Sequence, residues 1–142
     1  YSELKLRRAL KNSKMLSADV NAGYDPLYAE VFEKNNSAYV GKGAAISKYT
    51  GARGKSGSND ANAEYLGILR KAFDDAKVEY QTAELGRIDA GGGGTIAYIP
   101  AAYGMDVIDI GVPILNMHAP YEVSSKADVY ETTKCYKAFY EM

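Results

Sequence analysis

Val107-Ile108-Asp109-Ile110-Gly111-Val112, running on into Pro113-Ile114-Leu115-Asn116-Met117-His118, sets how the rest of the chain is read. Residues 107–112 read as a β-strand, and the chain continues from it toward a histidine. After it, residues 125–140 read as a helix, with Val129, Tyr136, Phe139 and Tyr140 spaced to share a face. Before it, Asp89-Ala90-Gly91-Gly92-Gly93-Gly94-Thr95 is a glycine-rich turn into a short helix that ends near Gly104. Pro100 falls inside that helix, where it removes a hydrogen bond and crowds the preceding turn; a kink or a shortened helix is expected.

Further out, the same alternation repeats. Residues 15–20 read as a short buried strand ending in polar residues, after a helix end at 2–11 that puts Leu6, Ala9 and Leu10 on one face. Residues 21–37, with Gly23 and Pro26, form an irregular excursion. Residues 43–50 resemble a strand followed by a flexible loop at 51–57. Ser58 or Asn59 can cap a helix over 61–76 whose buried stripe is Leu66, Leu69, Ala72 and Phe73, and residues 78–84 return as a strand. Strands alternating with helices predict an α/β sheet covered by helices on both sides, a layered sandwich missing an edge.

The 142 residues fit one domain, and 46% hydrophobic with 25% charged residues is ordinary globular composition. Seventeen basic residues against 18 acidic ones, with no long single-sign block, give no reason to expect nucleic acid or a membrane surface as partner. The thirteen tyrosines are scattered and make no stacking platform. The longest apolar stretches are too short to span a bilayer, and no signal peptide is visible. One cysteine, Cys135, fits packing in a reducing compartment, so the cytoplasm is expected. A first residue of tyrosine and a single histidine suggest a piece of a longer chain.

Ligands of open α/β sheets gather beyond strand ends. Asp19 and His118 both stand where this reading ends strands, and carboxylate and imidazole are good zinc ligands at neutral pH. Asp19 equally suits a turn, and His118 a satisfied buried histidine. Two ligands do not complete a catalytic zinc site, which takes three from the protein and keeps a position open. The glycine run can cradle a phosphate or a substrate carbonyl, or simply make a tight turn. It lacks the lysine of a P-loop and the spacing of a dinucleotide fingerprint. Lys42, between Gly41 and Gly43, is either solvated or a counter-charge for a substrate carboxylate. Glu122 can orient a ligand or contact a substrate amine, or sit on the surface.

Ser17-Ala18-Asp19-Val20, Gly41-Lys42-Gly43, Ser58-Asn59-Asp60-Ala61, Gly91 to Ile96 and Met117-His118-Ala119-Pro120-Tyr121-Glu122, in this order, resemble the C-terminal part of the aspartyl aminopeptidase and aminopeptidase I family. The resemblance implies a zinc-peptidase-like three-layer αβα sandwich, present in part. Residues 1–142 would be the C-terminal portion of one catalytic domain, with the upstream catalytic segment and an inserted dimerisation domain absent. It implies two zinc ions, with cobalt or manganese as substitutes. Asp19 would be a terminal ligand of one metal and His118 of the other, while the general base lies upstream. Lys42, Gly92, Gly93, Gly94, Thr95 and Met117 would line the pocket for a peptide substrate. The implied protein is a cytoplasmic, large homo-oligomeric aminopeptidase that removes an acidic or neutral N-terminal residue. The glycine run, and Asn21-Ala22-Gly23-Tyr24 after Asp19, resemble a bacterial group related to aminopeptidase I more than the aspartyl-specific branch. The other expectation, for the literal 142 residues, is a non-catalytic α/β binding or assembly module.

Overall fold

The computed structural model describes residues 2–52, 56–87 and 94–142. Its frame is a five-stranded sheet built on the strand over 107–112 from which the sequence was read. That strand, β6 (Asp106–Leu115), is central because both neighbours bury it: it pairs in parallel with β1 (Lys14–Ala22) and antiparallel with β2 (Ala44–Ser47). Strand β5 (Tyr80–Thr82) adds in parallel to β2, giving the order β1-β6-β2-β5, and β7 (Val123–Ser124) pairs with the end of β6.

One sheet face carries the core. Helices α2 (Ala63–Asp75) and α4 (Lys126–Tyr140) pack there, bringing Tyr65, Leu69, Phe73 and Cys135 onto Ile46, Ile108 and Ile110. Burying one such large apolar side chain contributes about 1.5–3 kcal/mol. Tyr65 also donates to the Met15 carbonyl at 3.1 Å and so fastens α2 to β1. Burial pushes the Cys135 thiol up to about 12, which fits a packing role. The opposite face of β6 is crossed by a hairpin of β3 (Tyr49–Ala52) and β4 (Ser56–Asp60), and by the short α3 (Tyr98–Ala101). The chain is thus a mixed α/β layered structure with α2 and α4 as its developed helical layer. No helix among the described residues is long and apolar enough to cross a membrane.

Several expectations change in detail. The flexible loop at 51–57 is a hairpin in its described part, and the strand expected at 43–50 breaks at Lys48 into β2 and β3. Neither Ser58 nor Asn59 caps α2; the cap is Asn62, whose side chain accepts from the Glu64 N–H, while Asn59 turns inward and donates to the Val107 carbonyl. Tyr65 belongs to the buried stripe, with Leu66 only packed at its margin. The strand at 78–84 shrinks to β5. Helix α4 buries Asp128, Thr132, Cys135 and Ala138, leaving Val129 and Tyr140 in solvent, because Asp128 has partners across the fold that draw its side of the helix inward. The helix at the start, α1 (Glu3–Lys11), forms as expected but buries none of its residues. Pro100 does shorten its helix, to four residues.

Gly111 shows how tightly β1 lies on β6. A methyl group there would stand 2.1 Å from the carbonyl oxygen of Asp19, well inside van der Waals contact. Gly111→Ala should therefore destabilise the protein by about 1–3 kcal/mol or more, the cost of overpacking a rigid site. Urea denaturation reads this directly, and an unchanged midpoint would show that β1 is free to move away.

Candidate functional site

The parallel β1–β6 pair sends both carboxyl ends to one edge of the sheet. Nine register pairs, from Lys14 opposite Asp106 to Ala22 opposite Ile114, hold the two strands level. Asp19 lies opposite Gly111, inside the strand and not after it as the sequence reading has it, because the ladder with β6 carries pairing on to Ala22. Its carboxylate is exposed, and Oδ1 accepts from the N–H of Val20 at 2.7 Å.

His118 follows the end of β6 on a short turn closed by the Ala119 N–H donating to the Asn116 carbonyl at 2.9 Å. Asn116 and His118 both adopt left-handed backbone, at φ 59° and 68°. A non-glycine residue there costs of order 1–3 kcal/mol and persists only where surroundings enforce it. The enforcing group is Glu122, whose Oε1 accepts from the His118 N–H at 2.6 Å. Glu122 thus orients the loop that carries the imidazole.

Asp19, level with Gly111 inside the ladder, and His118, beyond the end of β6, make no ion pair or hydrogen bond with each other, and among the described residues no three His, Cys, Asp or Glu side chains gather as a metal cluster. The donor chemistry suits zinc: one carboxylate oxygen of Asp19 and the imidazole ring are left without protein partners among the described residues. The number of donors is two.

Next to His118 in sequence, Met117 joins Ala22, Tyr28, Val31, Phe32 and Ile114 around a cavity of about 260 Å³, whose one charged lining residue among the described ones is Asp25. Asp25 already accepts from the Leu27 N–H through Oδ1. Lys42 is exposed on a turn between the irregular excursion and β2. Gly94 is exposed and Thr95 half-buried, whereas Gly92 and Gly93 lie outside the described residues. A cavity of about 640 Å³ runs along the open edge of β5, lined by Arg70, Asp74, Lys77 and Glu79 among others, and contains none of the candidate residues.

Two buried carboxylates escape sequence reasoning. Asp109 sits mid-strand on the face that also bears Ser17, opposite its own position on β1. Thr50 donates to its Oδ2 at 2.9 Å, and Thr95 reaches Thr50 at 3.2 Å, so the carboxylate ties the hairpin and the turn before α3 to β6. Its Oδ1 has no partner among the described residues. Burial pushes its pKa up, against hydroxyl hydrogen bonds from Ser17, Thr50 and Thr95, and Asp19 adds to the rise. An aspartate between Ile108 and Ile110 is the sequence signal that could have marked it. The second is Asp128, whose oxygens accept from the Gly41 and Gly43 N–H groups. Its place three residues after Ser125 reads as helix capping and hides that role.

A third carboxylate makes stability depend on pH. Glu84, beyond β5, is pushed up to about 7 by burial first and by Asp60 second, with Lys48 and a backbone N–H from Tyr49 opposing. Its folded pKa lies above the ordinary value of 4.5, so its contribution is full below that value and is lost as pH rises through about 7. Urea midpoints should fall between pH 5 and 7.5 in the parent, and Glu84→Gln should flatten that part of the profile. An identical slope in the variant would assign the dependence elsewhere.

The family model described as aminopeptidase I zinc metalloprotease (M18) matches residues 2–140. A Clostridium acetobutylicum protein named a probable M18 family aminopeptidase 1 is 65% identical over 98% of the chain, and one of the same name from Thermotoga maritima is 46% identical over 99%. The crystal structure of aminopeptidase I from C. acetobutylicum superposes with a TM-score of 0.90 at 65% identity, covering 96% of this chain and 30% of that one. The T. maritima M18 aminopeptidase structure gives 0.91 at 47% identity, covering 96% and 30%. A dodecamer of yeast mApe1 shares the fold, with a TM-score of 0.75 at 23% identity over 96% of this chain and 28% of that one. The chain spans 30–31% of the length of the two bacterial relatives.

Proposed function

The chain belongs to the aminopeptidase I (M18) family of zinc metalloproteases, and on that premise we propose that it forms the C-terminal portion of a catalytic domain hydrolysing the N-terminal residue from peptides. The observation that supports this reading is the parallel pairing of β1 with β6, which carries Asp19 on one strand and leaves the chain of the other running on to His118 at the end where both strands finish. Asp19 would hold one zinc ion and His118 the other, with cobalt or manganese as workable substitutes. The remaining ligands, the general base and an inserted dimerisation domain belong to the portion of the family's length that this chain does not span. Bound metal of this kind lowers the pKa of a water and polarises the scissile carbonyl.

This chain's own residues do the holding. Glu122 fixes the loop of His118, and the β1–β6 ladder fixes the strand of Asp19. Lys42, Gly92, Gly93, Gly94, Thr95 and Met117 would line the substrate pocket. The cavity beside Met117 favours a neutral, apolar N-terminal side chain over an acidic one, since Tyr28, Val31, Phe32 and Ile114 offer it apolar surface and no basic residue among the described ones lines it. Yeast mApe1, which shares the fold, forms a dodecamer, and this supports a large homo-oligomer here too. A cytoplasmic location fits the single buried cysteine.

In the longer protein, Asp19→Ala and His118→Ala should each lower aminopeptidase turnover by more than about 100-fold, beyond what loss of a mere supporting residue around a metal costs. Each should also lower the zinc content. The 142-residue chain alone should be inactive, with weak zinc binding. Full activity in either variant, or zinc-dependent turnover by the isolated chain, would overturn this assignment of ligands.

A further inference from the structure

One side chain fastens the Gly41-Lys42-Gly43 turn to helix α4. Asp128 is 1% exposed, and its Oδ2 accepts from the Gly41 N–H at 2.6 Å while Oδ1 accepts from the Gly43 N–H at 2.8 Å. Both glycines are left-handed, at φ +89° and +82°. Their reasons differ. At Gly43 a methyl would stand 2.1 Å from the Glu79 carbonyl oxygen, so packing against β5 leaves no room for a side chain. At Gly41 nothing lies within 4 Å of such a methyl, and the residue is glycine for its backbone angle alone. That angle turns the Gly41 N–H toward the carboxylate.

Lys42 is the one residue of the turn with a side chain. It is exposed and makes no ion pair or hydrogen bond among the described residues. Its place follows from the sheet. Ala45 of β2 lies level with Gly111, and Gly111 with Asp19, while β2 runs antiparallel to β6. The turn before β2 therefore stands at the edge where β1 and β6 end, the edge of Met117 and His118. An exposed lysine side chain samples many rotamers, and a fixed backbone beneath it restricts where the ammonium can reach.

We propose that Asp128 is a positioning residue, holding the Gly41-Lys42-Gly43 turn so that the Lys42 ammonium stands as counter-charge to a carboxylate of the peptide substrate. The inference rests on the aminopeptidase reading above. Asp128 spends both oxygens on backbone N–H groups, so it secures the turn without pairing with the lysine it supports. The carboxylate has two sources, the C-terminus of a dipeptide or an acidic N-terminal side chain.

The test uses the longer protein with three substrates: leucylglycine, leucylglycinamide and aspartylglycinamide. Lys42→Ala should raise KM about tenfold for the substrate whose carboxylate is recognised, and by less than roughly threefold for leucylglycinamide. A selective loss on leucylglycine identifies the C-terminal carboxylate, and one on aspartylglycinamide the side chain. Asp128→Asn should reproduce the same selective rise in KM with kcat little changed, and should add nothing in the Lys42→Ala background. Gly41→Ala, which disturbs the turn without a clash, should do likewise and carries the test if Asp128→Asn fails to fold. A uniform loss across the three substrates, additivity with Lys42→Ala, or no selectivity in Lys42→Ala overturns the proposal. Absence of peptidase activity in the parent protein would instead overturn the aminopeptidase reading itself.

Discussion

Parallel strands cannot be joined by a tight turn, so their alignment has to be held along their length, and here nine register pairs between β1 and β6 do that. The candidate residues take their places from that ladder. It sets Ser17 opposite Asp109 and Asp19 opposite Gly111, and it sends the chain out of β6 toward His118 at the edge where β1 also ends. The close approach at Gly111, where the Asp19 carbonyl fills the space of a side chain, removes the freedom of β1 to slide or tilt. A one-residue slip in such a pair would turn every side chain of β1 to the other face and take Asp19 away from the edge.

The two buried aspartates show different solutions to one cost. A charge taken out of water has to be repaid by hydrogen bonds. Asp128 has two N–H donors, one for each oxygen, and ties a helix to a turn 85 to 87 residues away in sequence. Asp109 has a donor at Oδ2 and none at Oδ1 among the described residues, and burial raises its pKa with Asp19 adding to the rise. It nevertheless organises more of the site, since Thr50 and Thr95 reach the sheet through it. Polar groups on this face are thus committed to arranging the surroundings of Asp19, whereas the opposite face is apolar and carries the stability.

Local signals were legible wherever local chemistry decided the outcome. Residues 107–115 are apolar but for Asp109 because β6 is flanked on both sides, and this pattern places the strand correctly. Ser125 caps α4 as its residue type suggests, and Pro100 limits α3. The misses are tertiary. Asn59 looks like a helix cap until Val107 is seen to take its side chain. The most buried side of α4 follows Asp128, with Tyr136 and Phe139 packed only partly against the core, because both partners of Asp128 lie across the fold. Residue type and order single out Asp19 and His118 as candidates, but the extent of β1 beyond Asp19 depends on pairing with β6, which no local pattern states. Gly92 and Gly93 fall outside the described residues, so the glycine run is placed only from Gly94 onward.

The turn after β6 bears most directly on function. Two of its residues, Asn116 and His118, hold a backbone conformation that glycine would adopt at little cost. Glycine at 118 would relieve the strain and lose the imidazole. The fold keeps the histidine and offsets the strain with the Asn116–Ala119 backbone bond and the charge-assisted bond from the His118 N–H to Glu122. A histidine wanted only for packing would be buried; this one is exposed, strained and held by its backbone, so its ring is presented and not consumed. The same economy recurs at Asp19, held through β1 with its carboxylate in solvent, and at Lys42, held through its flanking glycines. In all three cases the backbone carries the constraint and the side chain is left free to meet another group.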